Sequence, residues 1–364
     1  MSAVKYECSR GSAAQLGVVD SAQFNGRLKL LWSKGVAGKP AGPLSVHNGV
    51  LLYPETKKRI WFFDVGTGHR AGRWKAKGVP QTGVAVADSL AFYGVAPRRD
   101  FLRANQLQTA KRVWQKNVKD IFPGPIILDN RLVASSGEGR VVAFQLDNGE
   151  LAWEFRTEQR PTASASFGQG RIFQPADQGW LYALSPDSGR EVFRVRLDGP
   201  LVSPVAAADR IYAAVMTGLV YALSPDDGAV IWKTELGCPV WTSPAVARGK
   251  LFVGCSRGAL VALDAATGGI IWRHETGHVI RASALVIGEN VVVGTLAGQL
   301  LVLKADDGSL IDSTTVSGAV EVPPVTDGRR LFVATQSGKV YCFGENYEQA
   351  DAADQRIDSQ FQSQ

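Results

Sequence analysis

The feature that most constrains this chain is a tryptophan that returns every 39 or 40 residues. One copy of its segment, LDAATGGIIW, ends at Trp272 and consists of an acidic residue, a Thr-Gly turn, three further residues and the indole. Trp32 lies 42 residues before the first in-phase position, and the series then runs through Trp74, Trp114, Trp153, Phe193, Trp232, Trp272 and Asp312. A regular period of this length predicts a repeat architecture.

Each repeat contains four short apolar segments. Between Pro200 and Trp232 these are LVSPVAAA, IYAAVM, LVYALS and AVIW, and the turns DR, TG and PDDG separate them. Gly and Asp tolerate the backbone conformations that tight turns require. Four strands in a period of about 40 residues are typical of a β-propeller blade, and stacked blades bury faces that a lone sheet would expose.

The two ends of the chain predict closure of the ring. The last repeat, from Ser313, stops after three strands, and the segment FNGRLKLLW, Phe24–Trp32, has the pattern of the missing fourth. The sequence therefore predicts an all-β, eight-bladed β-propeller of four-stranded antiparallel blades over residues 24–343, closed by an N-terminal strand that completes the last blade. Residues 1–23 are expected to form an extension outside the ring, and the polar residues 344–364 a disordered tail.

The recurring indoles are predicted to be structural. A large flat ring on the outer strand can cover the glycine of the neighbouring turn and seal the junction between blades. This role, rather than stacking on a cofactor, is expected for Trp32, Trp74, Trp114, Trp153, Trp232 and Trp272.

The segment ALDAATGGIIW resembles the tryptophan-docking repeat of quinoprotein-type propellers, and the resemblance extends over residues 24–343. That family includes pyrroloquinoline-quinone (PQQ) dehydrogenases and the non-catalytic BamB-like outer-membrane assembly lipoproteins. The compact length, the plain blades and the N-terminal closing strand are most similar to the BamB-like group. The acidic insertion with which that group grips its barrel partner has no counterpart in short connections such as RLDGPLVSPV.

The resemblance implies a cell-envelope location, periplasmic or outer-membrane associated. No apolar signal segment is visible in MSAVKYECSRGSAAQLG, so a cytoplasmic location is the alternative. Cys8 and the polar residues after it are similar to the mature start of a lipoprotein, but the preceding VKYE is not a lipobox. Lipidation of Cys8 and an accidental likeness both stay open.

Little in the sequence points to catalysis. A quinone enzyme needs a divalent metal held by clustered oxygen ligands beside a carboxylate base, and neither such a cluster nor an adjacent cysteine pair is visible. We therefore expect a non-enzymatic scaffold without catalytic, cofactor or metal residues, and the runner-up is a PQQ- or ligand-binding oxidoreductase. Cys238, Cys255 and Cys342 form no C-x-x-C pair and are expected to be buried free thiols.

Two sets of residues are candidates for binding another protein. Loops that enter the first strand of a blade share one face with the turns between second and third strands, and a 40-residue register there contains Leu201, Trp241, Arg281 and Glu321. Trp241, Arg281 and Glu321 form the first candidate set, since a large aromatic beside opposite charges suits recognition. Simple pairing of Arg281 with Glu321 is the alternative.

The second set is basic. Residues 32–114 hold 14 Lys and Arg against 4 Asp and Glu, whereas the whole chain carries a net charge of +6. The candidates on the same face are Lys57, Lys58, Arg59, Arg98, Arg99 and Arg103. They suit an envelope- or membrane-complex subunit or an anionic surface, with a solvated charged surface as the alternative. Nucleic acid is disfavoured, because no aromatic residues alternate with these charges.

Overall fold

The computed structural model describes residues 17–19, 23–96, 101–121, 124–202 and 205–345. Within them the chain forms eight sheets of four or five strands, arranged as the blades of a propeller. The eight-bladed fold expected from the repeat is therefore confirmed. The only helical element of the described residues is a single 3-10 turn at Asp177–Gly179.

Two strands precede the first complete blade, β1 (Val18–Val19) and β2 (Leu30–Gly35). Blade 1 consists of β3 (Ser45–His47), β4 (Val50–Glu55), β5 (Arg59–Asp64) and β6 (Arg70–Lys75), and blade 2 of β7 (Val79–Pro80), β8 (Ala85–Ala87), β9 (Leu90–Ala96), β10 (Phe101–Gln106) and β11 (Arg112–Asn117). Blade 3 consists of β12 (Ile126–Leu128), β13 (Arg131–Ser136), β14 (Arg140–Gln145) and β15 (Leu151–Arg156), and blade 4 of β16 (Ser166–Gly168), β17 (Arg171–Pro175), β18 (Trp180–Leu184) and β19 (Glu191–Arg196).

Blade 5 consists of β20 (Ala206–Ala207), β21 (Ile211–Ala214), β22 (Leu219–Leu223) and β23 (Val230–Glu235), and blade 6 of β24 (Ala245–Ala247), β25 (Lys250–Gly254), β26 (Ala259–Asp264) and β27 (Ile270–Glu275). Blade 7 consists of β28 (Leu285–Ile287), β29 (Asn290–Gly294), β30 (Gln299–Lys304) and β31 (Leu310–Thr315), and blade 8 contains β32 (Val325–Thr326), β33 (Leu331–Ala334) and β34 (Lys339–Phe343). In such a blade the first strand lines the central channel and the fourth forms the outer wall.

The hydrophobic core lies between blades rather than at one centre. The cluster at the junction of blades 5 and 6, for example, combines Tyr212 and Trp232 of one blade with Leu251 and Val261 of the next. The second and third strands are buried on both faces because each is covered by a neighbouring blade on either side. The fourth strand is mostly exposed, and in β27 its one buried residue is Trp272.

The recurring tryptophans Trp32, Trp74, Trp114, Trp153, Trp232 and Trp272 lie at the junctions between consecutive blades. In five of the six, the indole nitrogen donates a hydrogen bond to a backbone oxygen in the next blade, at 2.8 to 3.1 Å, and the pairs are Trp32 with Val65, Trp114 with Leu146, Trp153 with Pro186, Trp232 with Ala265 and Trp272 with Ala305. The Trp272 ring also lies directly against Gly308 of the next turn. Trp74 docks less closely. Its ring packs in the core cluster between blades 1 and 2, where Ala110, at φ 56°, takes the place of the turn glycine.

The predicted closure of the ring is confirmed. β2 pairs antiparallel with β34, and Trp32 lies opposite Cys342. At the junction of blades 7 and 8 the docking tryptophan is replaced by Asp312, whose carboxylate accepts a hydrogen bond from the Leu28 N–H at 2.9 Å. Blade 8 has no turn between its third and fourth strands on which an indole could dock, and the buried ring of Phe24 fills this junction instead.

Three residues of the N-terminal extension lie inside the ring, not outside it as expected from the sequence. β1 pairs parallel with β28, the innermost strand of blade 7. Gly17 accepts a hydrogen bond from the Val286 N–H, and Val19 accepts one from Gly288. The channel side of this blade is therefore covered by the chain itself. The predicted disordered tail falls almost wholly outside the described residues and stays a prediction.

The expectation of free thiols at Cys238 and Cys255 is wrong, because the two form a disulfide. They are 17 residues apart and belong to no motif, but the loop that enters blade 6 and the turn after β25 meet on one face, where Val240 bridges Cys255. Cys342 is free and buried, as predicted, and burial raises the pKa of its thiol well above the usual range.

Substituting Gly308 tests the docking of Trp272. A Cβ atom at Gly308 would lie 2.6 Å from the indole ring, whereas one at Gly237, which shares the φ of +70°, would meet nothing within 4 Å. We expect G308A to lower the free energy of unfolding by about 1–3 kcal/mol more than G237A, because both variants carry the same backbone strain and only the first overpacks the junction. Urea unfolding measures both, and equal losses would contradict the docking role.

The disulfide is testable by alkylation in denaturant. Without reductant we expect Cys342 to be alkylated while Cys238 and Cys255 are protected, and after reduction we expect all three to react. Because the bond closes a loop of 17 residues, its removal in a C238A/C255A variant should lower the free energy of unfolding by about 3 kcal/mol. Alkylation of Cys238 in the unreduced protein would contradict the assignment.

Candidate docking face

One face of the propeller carries the predicted docking residues Trp241, Arg281 and Glu321. It consists of the loops entering each first strand, such as 237–244, and the turns between second and third strands, such as 255–258; we call it the loop-rich face. The two kinds of connection are hydrogen-bonded to each other, for example from the Ser256 N–H to the Pro239 oxygen at 2.9 Å. This pairing fixes the loops and allows side chains to project from a rigid base.

Trp241 is held outward by its neighbours. Val240 and Thr242 on either side are both 1% exposed, and the Thr242 hydroxyl is hydrogen-bonded to the backbone of Gly254. Since successive residues of an extended segment point in opposite directions, the indole between them is directed to the surface and is 40% exposed. This tryptophan is thus outside the series that joins the blades.

Arg281 completes the exposed pair. Its guanidinium carbon lies 4.9 Å from the centroid of the Trp241 ring, so the cation covers the indole in the neighbouring loop. Such contacts contribute about 0.5–1 kcal/mol at exposed sites. The structure therefore brings together two of the predicted residues from adjacent blades.

The third predicted residue stands apart. The Glu321 carboxylate accepts a hydrogen bond from Gln336 at 3.0 Å within its own blade, and no ion pair links it to Arg281, although both residues are described. The alternative of simple pairing across the rim is therefore not seen. Leu201, in the same register, is fully buried.

The predicted basic residues divide into different environments. Lys57 and Lys58 are exposed on the turn after β4. Arg59 donates to Glu55 at 3.2 Å, and the side chain of that carboxylate is fully buried. Arg98 and Arg99 lie outside the described residues, so their role stays a prediction.

Arg103 does not belong to an exposed cluster. It lies within β10, is 7% exposed, and donates to the Gln115 side chain across the sheet. Its position near the basic turn in sequence suggested exposure, but β10 is a third strand whose residues 102–105 are all buried, because neighbouring blades cover both of its faces.

Sequence reasoning missed Arg70 and Arg73, which together with the predicted Arg59 surround Trp61; we call Arg59, Arg70 and Arg73 the arginine cluster. Their guanidinium carbons lie 6.0, 4.9 and 5.2 Å from the indole centroid. Register explains the gathering, because Arg73 lies directly opposite Trp61 on the neighbouring strand. Because the turn between β5 and β6 separates Trp61 from Arg73 in the sequence, their proximity is not visible there.

Within the described ranges no three His, Cys, Asp or Glu side chains come together in a way that could hold a metal ion. In the described part of the chain no helix is both long and apolar enough to cross a membrane.

The fold, the docking tryptophans and the closing strand define an eight-bladed propeller of the quinoprotein type. The model of the family described as outer membrane protein assembly factor BamB matches residues 25–163, 137–214 and 177–350. Together these segments extend over most of the chain, which therefore belongs to that family.

Solved structures similar to this chain include both an assembly factor and dehydrogenases. BamB from Moraxella catarrhalis superposes with a TM-score of 0.74 at 16% identity, covering 88% of this chain and 100% of that one. Quinohemoprotein alcohol dehydrogenase ADHIIG from Pseudomonas putida HK5 superposes with a TM-score of 0.78 at 14% identity, covering 95% and 81%. Likeness at these identities shows the fold alone.

A relative found by sequence similarity is a dehydrogenase. Quinoprotein alcohol dehydrogenase PedH of Pseudomonas putida is 29% identical over 36% of this chain and 24% of its own length. The chain thus spans about a quarter of that relative. The fold is shared by an assembly factor and by dehydrogenases, and does not by itself assign either role.

Trp241 and Trp272 should differ sharply in their effect on stability. We expect W241A to lower the free energy of unfolding by less than about 1 kcal/mol, because little buried contact is lost, and W272A by about 3–5 kcal/mol. Denaturant unfolding followed by circular dichroism measures both. A large loss in W241A would show that this indole is part of the core and not available to a partner.

Proposed function

We propose that this protein is a non-enzymatic scaffold of the cell envelope that holds another protein on its loop-rich face, in the manner of an outer-membrane protein assembly factor. Exposed Trp241 beneath Arg281 carries the proposal. Trp and Arg are the residues that most often dominate protein–protein interfaces, and here they are presented on loops fixed by buried neighbours.

The condition of the channel supports a role without catalysis. β1 covers the channel side of blade 7, and no group of potential metal ligands forms among the residues that the structure describes. A quinone cofactor with its divalent metal would need both space and oxygen ligands near the axis.

The disulfide supports the proposed compartment. Bonds of this kind persist in oxidising environments such as the periplasm and are rare in the cytosol. Cys238–Cys255 ties the loop carrying Trp241 to the neighbouring turn, so the bond would also stiffen the proposed docking loop. A rigid loop loses less conformational entropy when a partner binds.

The similarity to PedH keeps a second candidate, a quinone-dependent oxidoreductase. Titration of the purified protein with PQQ and calcium separates the two functions. The scaffold proposal predicts no stoichiometric uptake of the chromophore, whereas saturable uptake with a changed quinone absorption spectrum would overturn it.

The docking residues are testable by affinity purification from native membranes, with the recovered proteins identified by mass spectrometry. We expect wild type to recover a component of the outer-membrane assembly machinery and W241A/R281E to lose it. The matched control is V230A/R248E, which changes one exposed apolar residue and one exposed cation away from the loop-rich face. Equal recovery by all three proteins would refute docking through Trp241 and Arg281.

A further inference from the structure

The arginine cluster on the outer wall of blade 1 is built differently from the same place in its sister blades. In blades 1, 4 and 5 the third strand carries an aromatic residue opposite a basic residue of the fourth. The cross-strand pairs are Trp61 with Arg73, Tyr182 with Arg194, and Tyr221 with Lys233.

Blades 4 and 5 complete this pair with a carboxylate from the preceding interblade loop. Glu158 pairs with Arg194 at 2.7 Å. Asp198 accepts hydrogen bonds from Lys233 and from the Tyr221 hydroxyl, each at 3.0 Å. The Lys233 contact, followed by that of Tyr221, lowers the pKa of the Asp198 carboxyl below its usual value.

Blade 1 has the aromatic residue and the base but no acid in the preceding interblade loop, and its Glu55, on β4, pairs with Arg59. Val36 donates to Gly338 as Leu197 donates to Gly179, so the residue that follows each is equivalent, and Ala37 stands where blade 5 has Asp198. Arg70 donates to the Gly35 oxygen at 2.7 Å, but no carboxylate of the described residues forms an ion pair with Arg70 or Arg73. Their guanidinium carbons lie 4.9 and 5.2 Å from the same indole centroid, and an anion near both would reduce the repulsion between the two like charges.

The indole adds a donor without a partner. Trp61 is 7% exposed, and its buried ring nitrogen has no hydrogen-bond acceptor. Tyrosines at the equivalent position use their hydroxyl to accept from the interblade loop, as Tyr221 accepts from the Asp198 N–H at 3.2 Å. An indole cannot accept a hydrogen bond in the plane of its ring.

We infer that the arginine cluster is a binding site for a carboxylate of an acidic segment of a partner protein, which takes the place that Asp198 and Glu158 fill from within the chain. A carboxylate accepts two parallel hydrogen bonds from a guanidinium, and Arg70 and Arg73 present two guanidinium groups beside the indole. Exposed Lys57 and Lys58 on the neighbouring turn would extend the attraction along the segment. The site does not use Trp241 and goes beyond the docking proposed for the loop-rich face.

The test uses the purified full chain and a fluorescein-labelled peptide of alternating Glu and Ser, with the Gln counterpart as its neutral control. Fluorescence anisotropy should show saturable binding of the Glu peptide alone, weakened by added salt. We expect R70Q/R73Q to weaken binding about 10-fold or more. R194Q/R171Q removes the same charge from arginines that have their own acidic partners, Glu158 and Asp226, and should bind as wild type does.

A second variant keeps the inference falsifiable if R70Q/R73Q folds poorly. A37D supplies the missing carboxylate from within the chain, so it should abolish peptide binding and raise the melting temperature. Unchanged peptide binding by A37D, or equal losses in R70Q/R73Q and R194Q/R171Q, would overturn the inference. So would Arg70- and Arg73-dependent binding to phosphatidylglycerol vesicles without binding of the Glu peptide. Because no membrane partner enters the assay, its result is independent of the pull-down.

Discussion

The structure depends on one interaction, the docking of an indole onto the next blade. The ring lies against a turn glycine while its nitrogen donates to a backbone oxygen, as Trp272 does with Gly308 and Ala305. Dispersion and the apolar area buried favour the contact without directional preference, but the hydrogen bond fixes the distance between blades. Five of the eight junctions repeat this geometry, and Trp74, Phe193 and Asp312 occupy the equivalent place at the other three junctions of the closed ring.

This regularity explains which parts of the structure could be predicted from the sequence. The fold was accessible because Trp32, Trp232 and the other anchors recur with the period of the blade, so local pattern and global architecture agree. Contacts that do not follow the blade repeat could not be predicted from the sequence. The Cys238–Cys255 disulfide joins a loop to a turn without any spacing motif, and β1 is a pair of valines whose parallel partner lies more than two thirds of the chain away.

The same distinction applies to the candidate sites. Trp241 and Arg281 were found because they occupy one register position in adjacent repeats, and the structure places them in contact. Arg103 was misjudged, because closeness in sequence to a basic turn does not show that a residue belongs to a strand buried on both faces. The arginine cluster required the cross-strand register of β5 and β6 and a comparison with sister blades, neither of which a linear pattern contains.

The closure by β2 has a consequence for the order of folding. β2 is synthesised before every complete blade, while β34, with which it pairs, comes after all the others. Blades 1 to 7 can assemble by contacts between neighbours as they emerge, but the closing contact must wait until nearly the whole repeat array exists, and it carries the loop-closure entropy of more than 300 residues. Until that contact forms, β2 has an unpaired edge, which is a template for pairing with another chain. The anchoring of Val18–Val19 against β28 holds the N-terminal segment beside blade 7 as soon as that blade forms, which shortens the search of β2 for its partner.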